Sequence, residues 1–275
     1  MRLLWQFGAV ALVAFAGSAL VGLMQWNAPL TLVAGLAVAV ALLYVYAWVV
    51  RRTERRAPAE VAVRGAGGAF GRGVLVGGGM FTAVIATIAL FGGYEVRGWG
   101  SAAGAVALLG FTAAAVVAEE LMFRGVLFRL AERRLGTWAS LALTGLLFGA
   151  AHLFNPHATV WSALAIAIAG GFMLAAAYTA TRNLWVPIGV HFGWNFVQGG
   201  VFGASVSGTD GPRGVLDGVT SGPLLVGGGE FGPEASVFSV LAGVVVTAAF
   251  LRLARRRGTI VPFRGRSAST TTLTA

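Results

Sequence analysis

The sequence predicts an all-α, polytopic membrane protein with about eight transmembrane helices and a polar cavity inside the bilayer. Hydrophobic residues make up 57% of the 275 residues, whereas charged residues make up only 11%. The apolar residues occur in repeated runs of about 20, the length that spans a membrane as a helix. All 20 basic residues are arginines, and most lie in short clusters between these runs, which is typical of cytoplasmic loops.

The composition also excludes several classes of function. The net charge of +10 would suit a nucleic-acid-binding protein, but the arginines lie where a membrane topology signal is expected. We therefore expect membrane lipid around the chain and no nucleic-acid partner. The absence of cysteine excludes disulfides, thiol catalysis and cysteine-ligated zinc.

The apolar runs place eight helices in order along the chain. We predict them at about Leu3–Met24, Leu30–Val50, Gly73–Gly93, Ser101–Arg134, Trp138–Leu153, Thr159–Thr179, Leu184–Phe202 and Ala235–Leu253. The first run is too long for the apolar region of a cleaved signal peptide, which is the alternative interpretation. Gly77-Gly78-Gly79 in the third helix either allows close helix contact or is simply tolerated there. Gly136 marks a tight turn between the fourth and fifth helices.

Arginine positions predict the orientation. The loop 51–72 is strongly basic, and only Arg97 and Arg213 fall in loops on the opposite side. Both termini are therefore expected in the cytoplasm. The Gly-rich segment Ala204–Pro233, with three acidic residues and one arginine, is expected outside as a flexible or Ω-type loop.

The chain then divides into five parts. These are helices 1–3 (residues 1–100), a core of helices 4–7 (101–203), the outer loop (204–234), helix 8 (235–257) and a disordered cytoplasmic tail (258–275).

Two adjacent carboxylates interrupt the fourth apolar run. Glu119 and Glu120 follow the run Ala102–Ala118, and Arg124 comes four residues after Glu120. A carboxylate at such a depth costs about 2.5–3.5 kcal/mol on insertion scales. Ionisable residues inside a membrane segment therefore indicate a functional site.

Three pairs of residues share a spacing of four. They are Glu120 with Arg124, Phe148 with His152, and His191 with Asn195. Residues four apart lie on one face of a helix, so each pair can point into one cavity. Glu120 and His152 lie equally far from Gly136 on its two sides, which places them at one height. His191 reaches that height only if the hairpin at Gly136 projects into the cytoplasm, which places the site in the inner half of the bilayer.

These residues can hydrolyse an amide without a nucleophilic side chain. A glutamate beside a histidine can activate water as a general base, and a histidine with an asparagine can stabilise an oxyanion. Arg124 pairs with Glu120, so Glu119 is the freer carboxylate and the expected base. Glu119, His152 and His191 could instead ligate a divalent metal such as zinc, with one position open. The sequence does not separate a mechanism without a cofactor from one with a metal.

The motifs Glu119-Glu120-x-x-x-Arg124, Phe148-x-x-x-His152 and His191-x-x-x-Asn195 resemble those of the CPBP family. This family contains the type II CAAX prenyl endopeptidases and related bacterial Abi and bacteriocin-processing proteins. The resemblance covers roughly Ala102–Phe202. It implies an eight-helix intramembrane endopeptidase, metal-dependent or metal-free, that cleaves a membrane-associated protein or peptide substrate of the CAAX type or another small substrate.

The resemblance also implies roles for the motif residues. Glu119 would be the base, His152 its partner, and His191 with Asn195 the oxyanion pocket. Two other classes of function stay open. A proton-coupled carrier also places carboxylates and histidines in the membrane, but would show paired broken helices in two repeated halves. A non-catalytic scaffold or immunity protein would keep the same residues as architecture.

Overall fold

The chain is an all-α, polytopic membrane protein in a computed structural model that describes residues 1–263. Its helices are α1 (Arg2–Gly22), α2 (Ala28–Glu54), α3 (Ala66–Leu90), α4 (Ala102–Glu120), α5 (Arg129–Ala151), α6 (Val160–Ile166), α7 (Met173–Thr181), α8 (Trp185–Asn195), α9 (Leu224–Gly227) and α10 (Val237–Arg256). Three π-helical segments continue α4, α6 and α8; they are Leu121–Phe128, Ala167–Phe172 and Phe196–Val201.

The eight predicted helices are all present. Within residues 1–263, six helical segments are long and apolar enough to cross a membrane: Arg2–Gly22, Ala28–Glu54, Ala66–Leu90, Ala102–Phe154, Val160–Thr181 and Val237–Arg256. The segment Ala102–Phe154 contains two of the predicted helices, since the chain turns back within it. Trp185–Val201 is the remaining one.

The turn at Gly136 has the position that the sequence predicts. Gly136 has φ 70° and ψ 172°, a conformation that is accessible to glycine and strained for other residues. Phe123 and Phe148, on opposite sides of the turn, lie with ring centroids 5.0 Å apart. The chain therefore returns alongside itself and brings the second motif back to the first.

Helices α3 and α8 pack with their backbones in contact. A Cβ atom at Gly77 would lie 1.9 Å from the carbonyl oxygen of Val190, and one at Gly193 would lie 2.4 Å from that of Val74. The close contact predicted from the glycine run is thus confirmed for Gly77. A Cβ atom at Gly79 would meet no atom within 4 Å. This contact fixes α8, which carries the third motif.

An ion cluster joins the end of α2 to the start of α5. Glu54 lies 2.6 Å from Arg129 Nη1 and 2.8 Å from Arg133 Nη2. Because α2 ends at Glu54, the hairpin beyond Arg129 extends past the end of α2. Gly136 lies about 10 Å further along the helix axis at 1.5 Å per residue.

Glu60 extends the same cluster from the loop between α2 and α3. Its Oε1 lies 2.7 Å from Arg56 Nη2 and accepts a hydrogen bond from the Tyr46 hydroxyl at 2.7 Å. Tyr46 also donates to the carbonyl of Gly125 at 3.0 Å. Burial alone would raise the pKa of Glu60, but the hydrogen bonds from Arg56 and Tyr46 outweigh it and hold that pKa below its ordinary value. The sequence interpretation of this loop as a topology signal missed its structural role.

The segment 204–233 is more regular than the flexible or Ω-type loop that we expected. Leu216–Thr220 forms strand β2, which pairs antiparallel with strand β1, Tyr94–Trp99. A bulge interrupts the register between Val96 and Gly98. The partner strands are more than a hundred residues apart, so the local composition gave no sign of the pairing.

The end of the described chain packs against the hairpin turn. Val261 accepts a hydrogen bond from the backbone of Thr137 at 2.9 Å. Arg182 donates to Glu132 and to the carbonyl of Thr259, which ties this segment to α5 and to the end of α7. Of the tail that we expected to be disordered, residues 264–275 lie outside the described residues.

Candidate active site

The first motif places a buried ion pair at the start of a π-helical segment. Glu120 Oε1 lies 2.7 Å from Arg124 Nη1, and both side chains are at most 2% exposed. Arg124 Nη2 also donates to the carbonyls of Gly170 at 3.0 Å and Gly171 at 3.1 Å. Those carbonyls lie in the second π-helical segment, Ala167–Phe172. The predicted pairing of Glu120 with Arg124 is therefore present.

His191 lies between the two glutamates. Its Nδ1 is 2.9 Å from Glu120 Oε1, and its Nε2 is 3.9 Å from Glu119 Oε2. Since an ionised carboxylate only accepts hydrogen bonds, Nδ1 carries the proton. Arg124, Glu120 and His191 thus form one chain of polar contacts that fixes the orientation of the His191 ring.

Glu119 is the freer carboxylate. Its side chain is 30% exposed, whereas that of Glu120 is fully buried. Oε2 of Glu119 and Oε2 of Glu120 are both buried without a hydrogen-bond partner among the described residues, but only Glu120 has an arginine within 4.0 Å. Glu119 also borders a groove of about 460 Å³ lined by apolar residues of α1, α2 and α4 together with Met122. A polar atom without a partner, next to an apolar groove, is available for a substrate or a water molecule.

The second motif is organised around the ring of Phe148. The guanidinium of Arg124 lies 4.4 Å from the centre of this ring. The rings of His152 and His191 lie 4.7 Å and 6.0 Å from it, centre to centre. Phe148 therefore packs against both histidines. His152 Nδ1 lies 2.7 Å from the carbonyl of Phe148, so Nδ1 donates and only Nε2 is left for other partners.

The structure changes the expected partner of Glu119. The resemblance implied His152, but His191 is the histidine beside Glu119. Neither nitrogen of His152 lies within 4.0 Å of a carboxylate oxygen in the part of the chain that is described. The side chain of His152 turns toward its own backbone because α5 ends there and Phe148 O is a free terminal carbonyl.

His152, His191 and Asn195 line one small cavity of about 30 Å³, together with Phe148, Ser207 and Glu234. This volume holds about one or two water molecules. Glu234 is 3% exposed and comes from the loop before α10. The sequence carries no signal for Glu234, because this residue belongs to no spaced pair and follows a Gly-rich segment.

Asn195 connects this cavity to a second one. It also lines a cavity of about 240 Å³ whose wall includes residues 203–206 and 209–213 of the outer loop. Phe111 borders both that cavity and the apolar groove beside Glu119. Asn195 and Phe111 thus link the three cavities around the site.

The three π-helical segments each adjoin the site. One begins directly after Glu120, one supplies the carbonyls that Arg124 binds, and one begins directly after Asn195. Such segments are rare in helices and frequent at functional sites, because the wider turn leaves carbonyls without a helical partner. Helix periodicity in the sequence carries no signal for them.

The residues do not form a ready metal site. Across residues 1–263, no three His, Asp or Glu side chains converge as ligands. Of the proposed ligand set, Glu119 and His191 approach each other, while His152 has Nδ1 committed to a carbonyl and lies more than 4.0 Å from every described carboxylate oxygen. The three donors that the sequence allows for zinc therefore do not fit a metal site in this arrangement.

Comparison with known proteins supports the resemblance drawn from the motifs. No curated protein and no solved structure matches the chain. One family model matches residues 99–197, a range that contains all six candidate residues and both of the cavity-lining histidines. The part of the chain that carries the candidate site is therefore similar to the Rce1-like family of type II CAAX prenyl endopeptidases.

Proposed function

We propose that the protein is an intramembrane endopeptidase in which Glu119 activates a water molecule to hydrolyse a peptide bond. The observation that carries this proposal is the position of Glu119 Oε2. It is buried without a partner and lies 3.9 Å from His191 Nε2, a gap that one water molecule can bridge. A general base must lie within hydrogen-bond reach of the proton that it removes, directly or through one water.

The reaction proceeds in two steps. The oxygen of the bridging water attacks the carbonyl carbon of the substrate while Glu119 takes one of its protons. The bond between carbon and nitrogen then breaks, and the proton held by Glu119 passes to the leaving amine. Glu119 returns to its ionised form, so the enzyme is unchanged after one cycle.

Glu120 is better suited to a supporting role than to that of the base. It is fully buried, and its Oε1 is shared by Arg124 and His191. It orients His191 by accepting the Nδ1 proton. In its doubly protonated form, His191 also donates from Nε2, and with the amide of Asn195 it stabilises the oxyanion. We assign Arg124 to holding Glu120.

The substrate is proposed to be a membrane-associated protein. The groove beside Glu119 is apolar and lies between helices that are long enough to span a membrane. A substrate with an apolar anchor can reach Glu119 through this groove. A prenylated CAAX-type C-terminus and another small membrane protein both meet this description. Arginine clusters favour cytoplasmic termini and a site in the inner half of the bilayer.

The test compares membrane proteomes of cells that express the wild type or Glu119→Gln. The amide is nearly isosteric but cannot take the proton, so substrates should accumulate uncut with Glu119→Gln. Glu95→Gln is the matched control, since that carboxylate lies in β1 and is 63% exposed. Cleavage by Glu119→Gln at the wild-type level would contradict the role of Glu119 as the base. A wild type that cleaves nothing would favour a scaffold without activity.

A further inference from the structure

Glu234 differs from the other buried glutamates. Four glutamates are buried within residues 1–263: Glu60, Glu120, Glu132 and Glu234. The first three lie within 4.0 Å of an arginine, namely Arg56, Arg124 and Arg182. No arginine of the described chain lies that close to Glu234. A buried carboxylate without a cation is costly, so an unpaired one indicates a role beyond stability.

The segment around Glu234 is held in place on several sides. The backbone N–H of Ser207 donates to Glu234 Oε2, and Asn155 Nδ2 donates to the carbonyl of Ser207 at 2.9 Å. Trp161 Nε1 donates to the carbonyl of Ala235 at 2.7 Å, and Ser239 Oγ donates to that of Pro233 at 2.7 Å. These contacts come from the turn after His152, from α6 and from α10. They fix the Glu234 carboxylate toward the cavity.

The cavity brings Glu234 and His152 to one small space. Both residues line the same volume of about 30 Å³. His152 Nδ1 is committed to the carbonyl of Phe148, so Nε2 is the nitrogen that is left to bind a water molecule in the cavity. A carboxyl group across a space for one or two waters can reach Nε2 through a single water. Burial raises the pKa of Glu234, although Ser207 and the charges of His152 and His191 lower it.

We infer that Glu234 is a positioning residue that acts on His152 inside the proposed hydrolytic site. Together the two residues form a carboxyl–imidazole pair facing His191 and Asn195 from the side of the loop. This pair explains why the loop before α10 is bonded to the turn after His152. The expected loss of rate rests on the proposed function. The pairing of Glu234 with His152 through a water can be tested without activity.

The first experiment detects the pair by NMR. The chain has three histidines, so ¹⁵N-histidine labelling in nanodiscs gives three sets of ring signals, which His157→Gln helps to assign. Glu234→Gln should shift the His152 ring signals and leave those of His157 in place. Glu230→Gln is the matched control, because Glu230 Oε2 lies 3.2 Å from His157 Nδ1 and is 85% exposed. This control should shift His157 alone. Unchanged His152 signals in Glu234→Gln would overturn the inference.

The second experiment measures turnover of a reporter substrate. Glu234→Gln should lower kcat by about 10–100-fold with little change in KM, the size of the loss that follows when a carboxylate behind a metal-ligating histidine is removed. Glu234→Asp should keep part of the lost rate and the wild-type Tm. In a His152→Ala background, Glu234→Gln should have no further effect. If Glu234→Gln lowers kcat by the same factor in the His152→Ala background as in the wild type, Glu234 does not act through His152. That result would overturn the inference.

The two readouts separate the two proposals. If neither the wild type nor any variant cleaves a substrate, but Glu234→Gln shifts the His152 ring signals, the proposed function fails and the pair stands. If the wild type cleaves and Glu234→Gln changes neither signals nor turnover, the pair fails and the proposed function stands.

Discussion

Glu120 and His191 are 71 residues apart in the sequence, and their side chains lie 2.9 Å apart inside the helix bundle. This contact joins the first motif to the third. It also distinguishes the two adjacent glutamates, since Glu120 Oε1 accepts hydrogen bonds from Arg124 and His191. Glu119 makes neither of these bonds, and its side chain is 30% exposed. Glu119→Gln and Glu120→Gln should therefore have different effects.

Glu119→Gln should abolish cleavage and leave Tm close to that of the wild type. Glu120→Gln should reduce cleavage and also lower stability by about 3–5 kcal/mol, because it leaves buried Arg124 without its counter-charge. Cleavage of a reporter substrate and thermal unfolding of the purified variants test both expectations. Equal losses of stability in the two variants would contradict this division of roles.

Asn195→Ala should slow cleavage by about 10²–10³-fold without abolishing it. This is the usual effect of removing one donor from an oxyanion pocket. Single-turnover rates with the reporter substrate provide the measurement. An unchanged rate would remove Asn195 from the oxyanion pocket, whereas Asn183→Ala, in the turn before α8, should retain the wild-type rate.

Glu60 should make stability sensitive to acid. Its pKa is lower in the folded chain than its ordinary value of 4.5, so it stabilises the fold above that pH. This contribution is lost as pH falls from 4.5 through the lower folded pKa. Glu60→Gln should lower Tm at neutral pH and flatten the decline of Tm below pH 4.5. If Tm of Glu60→Gln declines as steeply as that of the wild type, other groups cause the acid sensitivity.

Gly77→Ala should destabilise the bundle, because its Cβ atom would lie 1.9 Å from a backbone oxygen of α8. Overpacking of this kind costs about 1–3 kcal/mol. Gly79→Ala is the matched control two residues away, where a Cβ atom meets nothing within 4 Å. Thermal unfolding in the same detergent compares the two. Similar Tm values for both variants would contradict the close approach of α3 and α8.

Single cysteines can determine the orientation, since the chain has none of its own. Val63 and Ser221 are exposed residues in loops on opposite sides of the bundle. An impermeant thiol reagent should label Ser221→Cys in intact cells and label Val63→Cys only after lysis. The reverse pattern would show that the arginine distribution misleads and that the termini face outward.

The helices and the motif positions were predictable because they depend on local patterns. A run of apolar residues sets the length of a helix, and a spacing of four places Glu120 and Arg124 on one face. Contacts between distant segments left no such pattern. Glu54 lies 79 residues from Arg133, and Glu234 reaches the site only because a loop folds back over it. The three π-helical segments depend on tertiary partners in the same way.

The neighbouring carboxylates Glu119 and Glu120 are directed into different surroundings, one beside an apolar groove of about 460 Å³ and one inside the bundle. The groove is lined by α1, α2 and α4, and residues near it such as Phe15 are 78% exposed on the outer surface of the bundle. An amphiphile tail can occupy this groove. If Glu119 is the base that we propose, detergents whose tails fit this groove should compete with the substrate, and the measured KM should depend on the detergent.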